Sequence, residues 1–190
     1  IIDGWNKADF PDMALPPCHL LYQFIVRPLS VEERYKFVAE SLSPEDDRTI
    51  RNGLKYDYEG KRMHKRFDEL NVPRFYLDVN MYQRSCDTFL GVPFNIASMS
   101  LLLMIMAKAS NMIVGVANWI GGDTHMYVSH RDAVDEQLSR TPTTLPTVLL
   151  NKDIQTLEDI ENLTLDDIEL RDYVSQGKIK AELFTGLKKK

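Results

Sequence analysis

From Phe75 onward the chain alternates, with Leu77, Val79 and Met81 on one parity and Asp78, Asn80 and Tyr82 on the other. That period of two predicts a strand over 75–83 with one face wet or functional. Leu20 to Val26 (LLYQFIV) is instead a nearly continuous apolar run between Pro16-Pro17 and Arg27-Pro28, as expected of a strand covered on both faces. The 29–74 segment between them is charge-rich and helical in pattern, and it reads as inserted. Ser30 and Glu33 form a capping box ahead of Val31, Tyr35, Val38 and Leu42. Ser43-Pro44 can start a second helix, His64 to Leu70 a third that Asn71-Val72-Pro73 ends, and Gly53 and Gly60 flank an expected turn.

Beyond Pro93 the spacing predicts a helix to about Ser110, apolar all round except at Ser98 and Ser100, hence central to the core. Its greasiest stretch, Ile96 to Ala107, is shorter than the roughly 20 residues that cross a bilayer. Met112 to Ile120 reads as a strand turned by Gly121-Gly122, with Asp123 or Thr124 as the N-cap of the next helix. Met126 to Arg140 reads as an amphipathic helix, Pro146 to Leu150 and Asp167 to Val174 as late strands, and Leu157 to Leu163 as a short helix between them. Lys188-Lys189-Lys190 is expected to be a solvated tail.

The 190 residues suffice for one well-buried domain, and 44% hydrophobic with 27% charged residues excludes disordered and fibrous classes. Two cysteines cannot build a disulfide framework, and the net charge of −5 argues against a nucleic-acid-coating surface. The opening Ile1-Ile2 lacks a basic prelude and a cleavage site, which sets a cytoplasmic expectation, and a start on Ile instead of Met suggests a piece of something longer.

Cys18 stands where two prolines lead into a strand. A free cysteine is commonly a small buried hydrophobe, but at a strand end it can face a cleft, where a nearby cation would populate the nucleophilic thiolate. His19 is next to it, yet neighbours on a strand point to opposite faces, so an arginine is the better activator. Gln83-Arg84-Ser85-Cys86-Asp87 offers one: Arg84 and Ser85 could grip an anion, with Cys86 read as packing. Gly121-Gly122-Asp123-Thr124-His125-x-Tyr127 gathers an imidazole and a phenol. His125 and His130 are five apart without the intervening glutamate of a zinc helix, so no metal site is expected.

In order along the chain, Leu15-Pro16-Pro17-Cys18-His19 with Gln23-Phe24, Gln83 to Asp87, Phe89-Leu90-Gly91-Val92-Pro93-Phe94-Asn95-Ile96-Ala97-Ser98, and Gly121 to Tyr127 with His130 closely resemble the thymidylate synthase family. Trp5-Asn6, Gln137 to Arg140 and a weaker tail from Tyr173 to Lys180 join the match, which covers the carboxyl-terminal half of the family fold apart from 29–74. The resemblance implies an α+β fold with a central sheet, flanking helices and a homodimer formed sheet against sheet. It implies a single catalytic domain over 1–190 with a helical insertion.

It also implies a reaction. Cys18 would attack C6 of dUMP, Arg84 and Ser85 would hold the 5′-phosphate, and Asn95 would pair with O4 and N3–H. His125 and Tyr127 would hold the 3′-hydroxyl, and His19 and Ser98 would order water near the base. Asp87 would face ring and folate, with Gly91 and Phe94 also on the folate side. The one-carbon unit would come from 5,10-methylenetetrahydrofolate as co-substrate, giving dTMP, with no metal, DNA or membrane partner. A dUMP hydroxymethylase with the same cysteine, and an inactive dimerising or RNA-binding paralogue, are the alternatives. The chain departs from the family in the 66 positions between Cys18 and Arg84 and in the polar run Ala181 to Lys190.

Overall fold

The structure, a computed structural model, describes residues 1–13, 15–57 and 60–183. Lys188 to Lys190 lie outside them. A four-stranded sheet runs in the order β1 (Ile2–Asp3), β2 (His19–Pro28), β3 (Phe75–Asp87), β4 (Ile113–His125). β2 is antiparallel to β1 and β3, and β4 is parallel to β3. Three helices lie between β2 and β3. The parallel step needs a crossover, which α4 (Gly91–Ala109) supplies. After β4 come α5 (Arg131–Leu138) and a small antiparallel pair, β5 (Thr147–Leu150) and β6 (Ile168–Arg171), flanking α6 (Leu157–Glu161). The expected α+β sheet with flanking helices is thus present.

The parity of β3 decides how this sheet is covered. Leu77, Val79 and Met81 are buried against Met99, Leu103 and Ala107 of α4, with Tyr22, Phe24 and Trp119 packed around them. The opposite face stays open: Ile25, Tyr82, Val116 and Ile120 are each about two-fifths exposed or more. β2 is therefore covered on one side only, contrary to its continuous apolar run. α4 also departs from expectation. It starts at Gly91, spans 19 residues and is by length and composition long and apolar enough to cross a membrane, yet it lays one stripe on the sheet and leaves Phe94 and Ile96 exposed.

Two local expectations fail. Gly121 and Gly122 do not turn the chain; β4 continues through them to His125, because a side chain at Gly122 would press on the Arg84 carbonyl of the adjacent strand. No helix starts at Asp123 or Thr124, and the expected 126–140 helix shrinks to a 3-10 turn (Val128–His130) and α5. The turn expected between Gly53 and Gly60 is present, the Gly60 amide donating to the Asp57 carbonyl at 2.9 Å, with Gly53 itself inside the preceding helix and packed on Met63.

The 29–74 segment forms α1 (Val31–Val38), α2 (Pro44–Tyr56) and α3 (Lys61–Glu69). The Ser30/Glu33 capping box and the Ser43 cap with Pro44 in the first turn form as read, and Gly60, at φ 69°, admits the left-handed entry to α3. Val31, Ile50, Met63, Phe67 and Val72 make a second small core. At its centre lies Arg34, fully buried, donating to Asp68 Oδ1 at 2.8 Å and to the carbonyls of His64, Val72 and Pro73. Arg74, and then Arg34, hold the Asp68 carboxyl well below the usual carboxylate range.

Arg34 Nη1 lies 3.0 Å from His64 Nδ1, and since a guanidinium only donates, this imidazole nitrogen must accept. Burial, and then the Arg34 charge, push His64 below its ordinary value of 6.5. The native state thus takes up this proton less readily than the unfolded chain. Stability from this contact is complete above pH 6.5 and lost as pH falls below it. The protection factors of amides in α1 and α3, which correct for the intrinsic pH dependence of exchange, are expected to fall as pH drops below 6.5, and His64→Gln, which keeps an acceptor, to flatten that dependence; an identical profile in the variant would assign the change to another group.

Candidate active site

Strands β3 and β4 end together. Gln83 lies opposite Gly121, Ser85 opposite Asp123 and Asp87 opposite His125. Arg84, Ser85, Asp87 and His125 therefore gather at the carboxyl ends of two parallel strands, where ligands collect in sheets of this kind. Strand β3 runs to Asp87 instead of ending at Gln83, so these residues sit on rigid backbone rather than in a turn.

Cys18 joins them through Arg84. The Arg84 backbone N–H donates to the Cys18 carbonyl at 2.9 Å, while its guanidinium donates to the carbonyls of Pro17 (3.1 Å) and Pro16 (2.7 Å). Prolines offer carbonyls but no N–H, so this approach accepts from the cation without competing for it. Cys18 itself is half-buried. Cys86 is buried at the back, with its Sγ toward the Gln83 carbonyl, and burial pushes its thiol up, which fits packing rather than chemistry.

Asn95, in the second turn of α4, meets Gln83. Trp119 Nε1–H donates to Gln83 Oε1 at 2.9 Å, and an indole can only donate. This orients the Gln83 amide, whose Nε2 then donates to Asn95 Oδ1 (2.9 Å) and the Ser85 carbonyl (3.0 Å). Asn95 is left with Nδ2 as an outward donor and a second lone pair on Oδ1. The motifs give Gln83 no role, yet the sequence carries its signal: it continues the buried parity of Leu77, Val79 and Met81, where a polar residue needs partners.

Asp87 Oδ1 accepts from the amides of Phe89 and Leu90 and caps the approach to α4. Gly91 adjoins both Asp87 and Asn95. Behind Asp87 stands His130, fully buried between the rings of Phe89 and Tyr127, with Nε2 2.7 Å from the Glu182 carbonyl. His125 and Tyr127 meet edge to face at 5.2 Å. Phe94, 73% exposed, lines a cleft of about 520 Å³ with Leu90, Arg140, Tyr173, Gln176 and Ile179. Ser98 lies exposed one turn beyond Asn95, and His19 bonds to Tyr22. No cluster of metal-ligating side chains occurs among the described residues.

The strand ends thus join the Arg84 backbone to that of Cys18 and bring the Asn95 carboxamide, oriented through Gln83, into the same cluster. The chain matches the family model for thymidylate synthase over residues 1–42 and 63–185, and it belongs to the thymidylate synthase family. Thymidylate synthases of Rhizobium rhizogenes and Mycoplasma mobile are 36% and 37% identical to it over 183 residues, 96% of this chain but 47% and 46% of theirs. The crystal structure of thymidylate synthase from T4 phage superposes with a TM-score of 0.63 at 32% identity, covering 95% of this chain and 50% of that one. The chain thus spans about half the length of the curated relatives it matches.

Proposed function

We propose that this chain carries the nucleotide-binding and nucleophilic side of a thymidylate synthase active site, converting dUMP to dTMP. The observation that supports the reading is the bonding of Arg84 to the Pro16, Pro17 and Cys18 carbonyls, which ties this arginine to the segment that bears the candidate nucleophile. Cys18 adds to C6 of the uracil ring, which pushes negative charge onto O4. Asn95 Nδ2 donates to that oxygen and its Oδ1 accepts from N3–H, a preorganised pair that favours the charged intermediate. Arg84 and Ser85 bind the 5′-phosphate, His125 and Tyr127 the sugar 3′-hydroxyl. Asp87, Gly91 and Phe94 form the folate side, and His19 and Ser98 order water at the base. 5,10-Methylenetetrahydrofolate supplies the one-carbon unit and the hydride. The setting is cytoplasmic.

The open sheet face fits the second copy of a homodimer, since Ile25, Tyr82, Val116 and Ile120 form an exposed apolar stretch on it. Val116→Lys should shift the protein to monomer in sedimentation; an unchanged dimer would place the interface elsewhere. The 29–74 helices act as a peripheral addition, and residues 43–62, where the family match is interrupted, fall inside it. The catalytic reading is tested by incubating the full-length protein with a 5-fluorinated uridylate and the folate, then locating the adduct by peptide mass spectrometry. Modification of Cys18 is expected. Modification of Cys86, or none, would overturn the assignment.

A further inference from the structure

Strand β2 contains an irregularity whose effect falls on His19. His19 lies opposite Gln83 and Leu21 opposite Tyr82, so β2 takes two steps where β3 takes one. In an unbroken strand residues three apart face opposite sides, and one extra residue brings them to the same side. His19 and Tyr22 accordingly meet, rings edge to face at 6.1 Å, with the Tyr22 hydroxyl 3.0 Å from His19 Nδ1. Tyr22 is held in turn by packing against the core between sheet and α4.

The direction of this hydrogen bond follows from chemistry. A phenol donates strongly and accepts poorly, because its lone pair is conjugated with the ring, whereas an unprotonated imidazole nitrogen accepts well. Burial also favours the protonated phenol. Were His19 the donor, the hydroxyl proton would need a second acceptor, and His19 is the hydrogen-bond partner found for that hydroxyl among the described residues.

The geometry points to Tyr22 as a positioning residue: by donating to Nδ1 it holds His19 in the tautomer that carries its proton on Nε2. Resting on the proposed role of His19 at the base, this gives the imidazole one fixed function. Nε2–H donates to a water, and that water keeps its own hydrogens for the oxygen on which charge develops.

The tautomer is read directly by ¹⁵N NMR of the histidine side chains, with His19→Gln used to assign the His19 signals. The wild-type chain should show Nδ1 in the unprotonated range and Nε2 in the protonated range for neutral His19. Tyr22→Phe, which keeps the ring and removes only the hydroxyl, should move both resonances toward each other as the tautomers mix. A proton on Nδ1 in the wild type, or unchanged shifts in Tyr22→Phe, would overturn the inference. Turnover of full-length Tyr22→Phe separates it from the underlying reading: kcat should fall with KM for the nucleotide held. Mixed tautomers with full kcat would remove His19 from catalysis while leaving Tyr22 its positioning role.

Discussion

Cys18→Ser in the full-length protein is expected to lower kcat by ~10⁴-fold or more, the scale seen when a covalent nucleophile is removed, while nucleotide binding changes little. The thiol adds to an electron-poor ring carbon as its thiolate, and a serine hydroxyl is far less ionised at neutral pH and would need a general base to act in its place. His19 does not supply that base, since its Nδ1 is engaged by Tyr22. Binding survives because the groups assigned to phosphate, base edge and sugar are untouched: Arg84 keeps the Pro16 and Pro17 carbonyls, and Asn95 keeps Gln83. Calorimetric titration with dUMP and steady-state assay check the two halves of this expectation. Turnover retained within about tenfold would take Cys18 out of the nucleophile role.

The second large effect concerns which base is accepted. Uracil presents an acceptor at O4 and a donor at N3, whereas cytosine presents an amino donor and an acceptor. Asn95 matches uracil only if its amide is held one way round, and Trp119 through Gln83 does the holding. The wrong base would leave buried polar groups unpaired, so dCMP should be refused by about 10³-fold or more in kcat/KM. Asn95→Asp should narrow or reverse this preference, because a carboxylate accepts from the cytosine amino group and, when protonated, donates to N3. Gln83 Nε2 can still donate to the new carboxylate, so the variant retains its anchor. Competition between the two nucleotides on both proteins decides the matter, and an unaltered preference would mean that another residue reads the ring.

Local patterns make much of the fold legible in the sequence. The parity of Leu77, Val79 and Met81 marks the buried face of β3, and Ser30 with Glu33 marks the start of α1, because alternation and capping depend on neighbours in the chain. The features that local pattern misses depend on neighbours in space. Gly121 and Gly122 look like a turn, but they lie within β4, where Gly122 closely approaches the Arg84 carbonyl of the parallel strand and Gly121 lies against the Trp119 ring. The apolar α4 looks central, yet a helix laid on one sheet buries one stripe.

The site divides in the same way. Cys18, Arg84, Asp87 and Asn95 stand out by motif, and the structure brings Arg84 to the Cys18 loop and Gly91 between Asp87 and Asn95. Gln83 and His130, both buried, draw no role from the motifs, because Gln83 orients the Asn95 side chain and His130 bonds to the Glu182 carbonyl, and only the folded contacts display this. The bulge that turns His19 toward Tyr22 has no signature in residue types at all, since it is a property of pairing with β3.

The measurement that bears most directly on the central reading is the mass of the nucleotide product. Full-length protein supplied with dUMP and 5,10-methylenetetrahydrofolate should yield dTMP, heavier than dUMP by one methylene unit, with dihydrofolate formed in equal amount. A product heavier by a further oxygen, which is 5-hydroxymethyl-dUMP, with no folate oxidation would contradict this reading and make water, not hydride, the final reactant. Recovery of unchanged dUMP from folded, nucleotide-binding protein would contradict it more deeply, by leaving Cys18, Arg84 and Asn95 as a binding site without chemistry.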